Sequence, residues 1–119
     1  MSVSNCAFCA IVRGHAPADV VREWSDAIAI RPRSGGVADG HLLVIPRQHV
    51  ADVGTNPLVS AATMSRAAEL PAANVLTSRG AAATQTVFHL HLHVVPRTDG
   101  DGLPLPWAPQ HAARNGATA

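Results

Sequence analysis

The chain of 119 residues has no lysine and no tyrosine, and all nine of its basic residues are arginine. These absences exclude a P-loop lysine, a Schiff-base or lysyl-nucleotide intermediate, and a tyrosine acid. Aromatic residues are almost as scarce: Phe8, Trp24, Phe88 and Trp107 are the whole set. With 22 alanines, small side chains must fill much of any core. An excess of charge of one sign is lacking too. The formal net charge is +1 and the arginines are scattered, which argues against a protein held on nucleic acid by a broad basic surface. No run approaches the roughly 18–20 apolar residues that span a bilayer, and no basic stretch near the first residue leads into an apolar one. A cytoplasmic protein without a membrane partner is expected.

What remains for chemistry near neutral pH is histidine, seven of them, beside two cysteines. An unperturbed imidazole titrates near ~6.5 and can serve as base, acid, nucleophile or metal ligand. The length fits one domain. That domain is expected over residues 1–105, followed at 106–119 by a Gly-, Pro- and Ala-rich tail that is expected to be partly disordered. So small a core is marginal alone, and a homodimer is expected because it would bury more apolar surface.

Residues 6–13 form a short apolar segment stopped by Gly14, which predicts a helix. Residues 20–24 and 27–30 read as strands around a tight turn at Ser25-Asp26. Residues 32–40, rich in Pro, Ser, Gly and Asp, predict a loop. Residues 41–46 are strongly β-like up to Pro46, whose missing N–H ends a ladder. Asn56 and Pro57 offer an N-cap and a first-turn proline to a helix over 58–70, stopped by Pro71. Residues 74–77 predict a strand, 78–84 a loop, and 86–95 the longest strand. The sum is an α+β domain: a mostly antiparallel five-stranded sheet with a short N-terminal helix and one longer helix.

The last strand carries the strongest signal. Strand residues at i, i+2 and i+4 share a face, so His89, His91 and His93 are expected to point together, with Phe88, Leu90, Leu92 and Val94 on the buried face. Plain solvent-exposed positions would accept Thr, Lys or Gln equally well. At a rise of about 3.3 Å per residue, the outer pair of imidazoles is roughly 13 Å apart at Cα. Two could share a metal ion, but three could not easily do so, and their roles must differ.

Cys6 and Cys9 have the spacing of half a tetrahedral zinc site. In a reducing compartment that spacing means a metal or redox site more often than a structural disulfide. His15 is too close and His41 too far for a zinc finger, so further ligands must come from separate elements. The plainer alternative is that both cysteines are small core residues of the first helix.

The run His89-Leu-His-Leu-His-Val-Val resembles the alternating signature of the histidine triad (HIT) superfamily of nucleotide hydrolases and transferases. Gly40-His-Leu-Leu-Val-Ile-Pro-Arg-Gln-His49 is similar to the family's strand and turn before its helix. Thr84-Gln-Thr-Val-Phe-His89 is similar to its Gly-Gln-Ser-Val-x-His lead-in. Cys6-x-x-Cys9 followed by Ile-Val-Arg-Gly is similar to the start of zinc-containing members. The resemblance spans residues 6–97.

The resemblance implies a HIT-like fold and a purine nucleotide substrate: a nucleoside phosphoramidate, an aminoacyl-adenylate or a dinucleoside polyphosphate. It implies His91 as the nucleophile that attacks the α-phosphorus and forms a nucleotidyl-histidine, His93 as donor to a non-bridging oxygen, and His41 beside the same phosphate. Gln85 and Thr86 would bond the phosphate or leaving group. Ser78 aligns with an asparagine that contacts phosphate or ribose in relatives. Cys6, Cys9, His49 and His89 would hold a structural zinc, leaving His15 and His111 incidental.

Three departures accompany the resemblance. Arg33 stands where the family commonly has an aspartate for ribose, Ser78 replaces the asparagine, and the stretch from His49 to His89 is short. Leu103-Pro-Leu-Pro-Trp107 resembles a tryptophan-containing tail of some relatives. Two alternatives follow from the residues. One is a purine-nucleotide-binding module with little catalytic activity. The other is a zinc hydrolase using a His-x-His pair, which would lack a nearby carboxylate because Glu69 lies in another element and Asp99 beyond Pro96.

Overall fold

The computed structural model describes residues 5–71 and 73–105; the compositional tail, with Trp107 and His111, lies outside the described residues. Helix α1 (Ala7–Val12) starts at Cys6, whose thiol accepts the Cys9 N–H at 3.3 Å, and stops before Gly14, which has φ +78°. Strands β1 (Val20–Glu23) and β2 (Ala27–Ile30) form the expected hairpin, closed by Trp24 N–H donating to the Ala27 carbonyl at 2.8 Å. Strand β3 (Leu42–Pro46) leads to α2 (Pro57–Ala67), then come β4 (Ala73–Leu76) and β5 (Leu92–Pro96). The spatial order is β1-β2-β3-β5-β4, with every neighbouring pair antiparallel.

The pleat of β2 and β3 explains why both are buried end to end. Alternate residues serve two cores. Ile28, Ile30, Leu43 and Ile45 meet Phe8 of α1 on one face. Ala27, Ala29, Leu42 and Val44 meet Ala67 of α2, together with Leu90, Leu92 and Val94, on the other. The Asn56 side chain caps α2 by accepting Leu58 N–H at 3.1 Å. The helix ends at Ala67 rather than at residue 70, and the chain turns through residues 68–70.

One predicted element is corrected. The strand expected over 86–95 is ladder-paired only at Leu92–Pro96. Residues 86–91 leave the sheet because their polar groups are engaged elsewhere. Leu90 N–H donates to the Val50 carbonyl at 2.8 Å, and the His89 ring bonds the Pro46 carbonyl at 2.8 Å. Phe88, expected on the buried face, is 43 % exposed, whereas Leu90, Leu92 and Val94 are buried as expected. Among the described residues no helix is long and apolar enough to cross a membrane.

Candidate active site and metal centre

Three separate elements bring four soft donors together. The start of α1 supplies Cys6 and Cys9, the turn after β3 supplies His49, and the irregular approach to β5 supplies His89. One donor atom from each lies within 4.8 Å of all the others. Cys6 Sγ is 3.3 Å from His89 Nδ1, Cys9 Sγ is 3.2 Å from His49 Nδ1, and the two Nδ1 atoms are 3.2 Å apart. A tetrahedral ion with bonds of ~2.1 Å to nitrogen and ~2.3 Å to sulfur needs donor separations of roughly 3.3–3.8 Å, so the donor set fits such an ion. Both cysteines are free thiols. Burial, then the hydrogen bond to Cys6, pushes the Cys9 thiol pKa up, a bias that a bound cation reverses.

His89 is fully buried, and its Nε2–H donates to the Pro46 carbonyl, which leaves Nδ1 unprotonated and facing the sulfurs. Burial is the main reason its pKa falls to about 4, with lesser contributions from His49 and His91. His89 keeps the face expected from strand alternation: the Phe8 ring lies edge-on to both His89 and His91, at 5.9 and 5.1 Å, and His93 pairs with Leu43 of the same core, while Leu90, Leu92 and Val94 fill the opposite one. Four protein donors leave no open position for water, and none of them is a carboxylate. Glu69 is bonded to Arg22, Trp24 and Arg66 instead, so the zinc-hydrolase alternative finds no support.

The remaining imidazoles form a second group whose protons are placed by the backbone. His91 Nδ1 lies 2.8 Å from the His89 carbonyl, which can only accept, so Nδ1 carries the proton and Nε2 presents a lone pair. The Val37 N–H donates to His41 Nδ1 at 3.1 Å, which puts the proton of a neutral His41 on Nε2. That proton is donated to His93 Nδ1 at 3.0 Å and leaves the His93 proton on Nε2. The His91 and His93 rings are 5.2 Å apart. Burial lowers the His41 pKa, and burial followed by the charges of His91 and His41 lowers His93 to about 4, so both are neutral at pH 7. The group thus offers one nucleophilic nitrogen beside one N–H donor.

These two imidazole groups and their order along the chain match one family. The profile of the HIT domain covers residues 13–100. The chain belongs to the HIT family. An uncharacterised HIT-like protein of Mycobacterium tuberculosis is 39 % identical over 112 residues, covering 82 % of this chain and 75 % of that one. The adenosine 5′-monophosphoramidase of Saccharomyces cerevisiae is 32 % identical over 116 residues, covering 88 % of this chain and 71 % of that enzyme. The crystal structure of a zinc-bound histidine triad family protein from Mycobacterium smegmatis superposes with a TM-score of 0.70 at 38 % identity, over 94 % of this chain and 88 % of that one.

In this HIT chain the loop before the triad is braced by Gln85. That side chain is 4 % exposed; its amide donates to the Ala51 and Val87 carbonyls at 2.8 and 3.0 Å, and its carbonyl accepts Gly80 N–H at 2.8 Å. Both amide hydrogens are therefore engaged by backbone, which separates Gln85 from the phosphate contact expected of it. Thr86 is exposed and Ser78 half-buried, and among the described residues neither hydroxyl has a hydrogen-bond partner. Thr84 occupies the left-handed region at φ 70°, strained for a β-branched residue.

A cleft of about 730 Å³ opens on the Phe8 side of the sheet. Its apolar wall is Phe8, Ile30, Leu43 and Val87, and the Phe8 ring lies 5.1 Å from that of His91. Ile28, a neighbour of Ile30 and Leu43 in the same core, does not reach the cleft. Arg33 lies on the rim, as does Asp19, which pairs with Arg31 at 2.9 Å.

Proposed function

We propose that this HIT protein is a nucleotide hydrolase or nucleotidyl transferase that acts at the α-phosphate of a purine nucleotide, by way of a nucleotidyl-histidine on His91. The observation that carries the reading is the His91 Nδ1 bond to the His89 carbonyl, which fixes the tautomer with a free Nε2. The cleft dimensions and apolar wall suit a base, and Phe8 of that wall, 5.1 Å from the His91 ring, links the cleft to the nucleophile.

In the first half-reaction the His91 Nε2 lone pair forms the N–P bond as the bond from phosphorus to the leaving group breaks. The leaving group takes that electron pair and a proton from solvent. His91 keeps its Nδ1 proton, so the adduct is cationic, and the His89 carbonyl stabilises it. His93 Nε2–H donates to a non-bridging oxygen as charge builds there, and His41 holds His93 in that tautomer. In this reading Thr86 and Ser78 add hydroxyl donors. In the second half-reaction water, or an alcohol or phosphate acceptor, attacks phosphorus, any proton on the attacking oxygen passes to solvent, and the electron pair of the N–P bond returns to Nε2. Cys6, Cys9, His49 and His89 would hold a zinc ion, which ties α1 to the segment leading into His91.

Nucleoside phosphoramidates, aminoacyl-adenylates and dinucleoside polyphosphates all share this reacting centre. The yeast relative's phosphoramidase activity favours the first. A cytoplasmic homodimer is part of the proposal. Strand β4 is an edge of the sheet and Leu76 at its end is 44 % exposed. The test is His91→Asn assayed against an adenosine 5′-phosphoramidate. Turnover should fall by at least about 10³-fold. Parent-like turnover would show that another group attacks.

A further inference from the structure

The β4–β5 ladder ends at the pair Leu76↔His93, and the β3–β5 ladder ends at Val44↔Leu92. His91, the residue next before β5, thus lies just beyond both. One step past the end of β4, the Thr77 hydroxyl donates to the His91 carbonyl at 2.8 Å. His91 is therefore held at two points of different kind. Its ring is tied through Nδ1 to the His89 carbonyl, and its backbone is tied to the strand edge by a side chain. Among the described residues, the aromatic rings packed against it are Phe8, edge-on at 5.1 Å, and His93 at 5.2 Å. Rotation of the peptide after His91 would swing the imidazole relative to His93, which is anchored in the ladder.

We infer that Thr77 is a positioning residue for the nucleophile: its hydroxyl continues the sheet by one hydrogen bond and so sets the direction in which His91 Nε2 points. Attack on phosphorus needs the nitrogen in line with the leaving group, and misplacement by about 1 Å can cost roughly 10²-fold in rate. Ground-state binding of the base in the cleft does not depend on that alignment. The effect falls on the chemical step and spares affinity. This inference rests on His91 being the nucleophile.

The experiment compares the full chain with Thr77→Val, which keeps the shape and removes the donor, and Thr77→Ser, which keeps the donor. Formation of the nucleotidyl adduct from an adenosine 5′-phosphoramidate is followed in single turnovers, and AMP affinity is measured by calorimetry. Thr77→Val should form the adduct about 10–100-fold more slowly with AMP affinity within about 3-fold of the parent, and Thr77→Ser should recover most of the rate. Adduct formation by Thr77→Val at the parent rate, or an equal loss in Thr77→Ser, would overturn the inference. If Thr77→Val does not fold, Thr77→Ala takes its place under the same criteria. A second measurement is independent of turnover: the ¹⁵N shifts of the His91 ring at one neutral pH should report the Nδ1–H tautomer in the parent and a mixture in Thr77→Val. Identical shifts would overturn the inference. A parent that forms no adduct would refute the functional proposal, and the ring shifts would then decide the role of Thr77 alone.

Discussion

Gln85 offers a perturbation whose two readings give opposite results. Gln85→Leu keeps approximate size and removes three hydrogen bonds, to Gly80, Ala51 and Val87, at a position only 4 % exposed. A buried neutral hydrogen bond contributes about 1 kcal/mol net, and each partner left unsatisfied costs about 1–3 kcal/mol unless water reaches it. Gly80, Ala51 and Val87 are all half-buried, so water can reach part of what is left unpaired. The expected loss is about 3–5 kcal/mol, a large part of the ~5–15 kcal/mol available to a small domain. Urea unfolding followed by tryptophan fluorescence measures it. A loss below about 1 kcal/mol, accompanied by a large drop in turnover, would show that Gln85 contacts phosphate and would refute the brace described above.

The sequence made most of the architecture legible because its signals are local. Asn56 and Pro57 mark the start of α2 by their own hydrogen-bonding chemistry, and Ser25-Asp26 marks the β1–β2 hairpin. The short helix at Cys6 was also legible from its apolar run and Gly14. The approach to β5 was not, because alternation reports which side chains are buried and does not report who pairs with the backbone. Leu90, Leu92 and Val94 are buried as alternation demands, yet Leu90 N–H leaves the ladder for Val50. His89 keeps the face that alternation gives it, beside Phe8 like His91, but alternation does not report that its two ring nitrogens are committed to the metal donors and to the Pro46 carbonyl. The donor set itself came from resemblance. Thr77 and the saturation of Gln85 depend on contacts between distant segments, which no local pattern encodes.

Stripping the metal with a chelator, or introducing Cys9→Ser, should lower the melting temperature by about 8 °C or more, at 4–8 °C per kcal/mol for a domain of this size; an unchanged melting temperature would contradict a structural ion. Thr84→Gly should relieve left-handed strain and raise stability by about 0.5–1 kcal/mol in urea unfolding, after the entropy cost of glycine. A decrease would show that the Thr84 side chain contributes more than its conformation costs. Acid should weaken the fold through His93, which titrates at about 4 when folded and near ~6.5 when unfolded. Between those values the unfolded chain binds the extra proton, so the stability this group contributes is complete above pH ~6.5 and lost as pH falls toward 4. Its share is about 2 kcal/mol after solvent screening. Comparing unfolding of the parent and His93→Gln at pH 7 and 4.5 isolates it from metal release, and equal pH slopes would refute it.

The central claim is that His91 carries the nucleotide during the reaction. Intact-protein mass spectrometry, after brief incubation with an adenosine 5′-phosphoramidate and acid-free quenching, tests it most directly. The parent should gain the mass of one adenylyl group, and His91→Gly, with the metal donors and His93 intact, should gain none. An adduct of the same mass on His91→Gly would place the covalent step on a different residue and contradict the account.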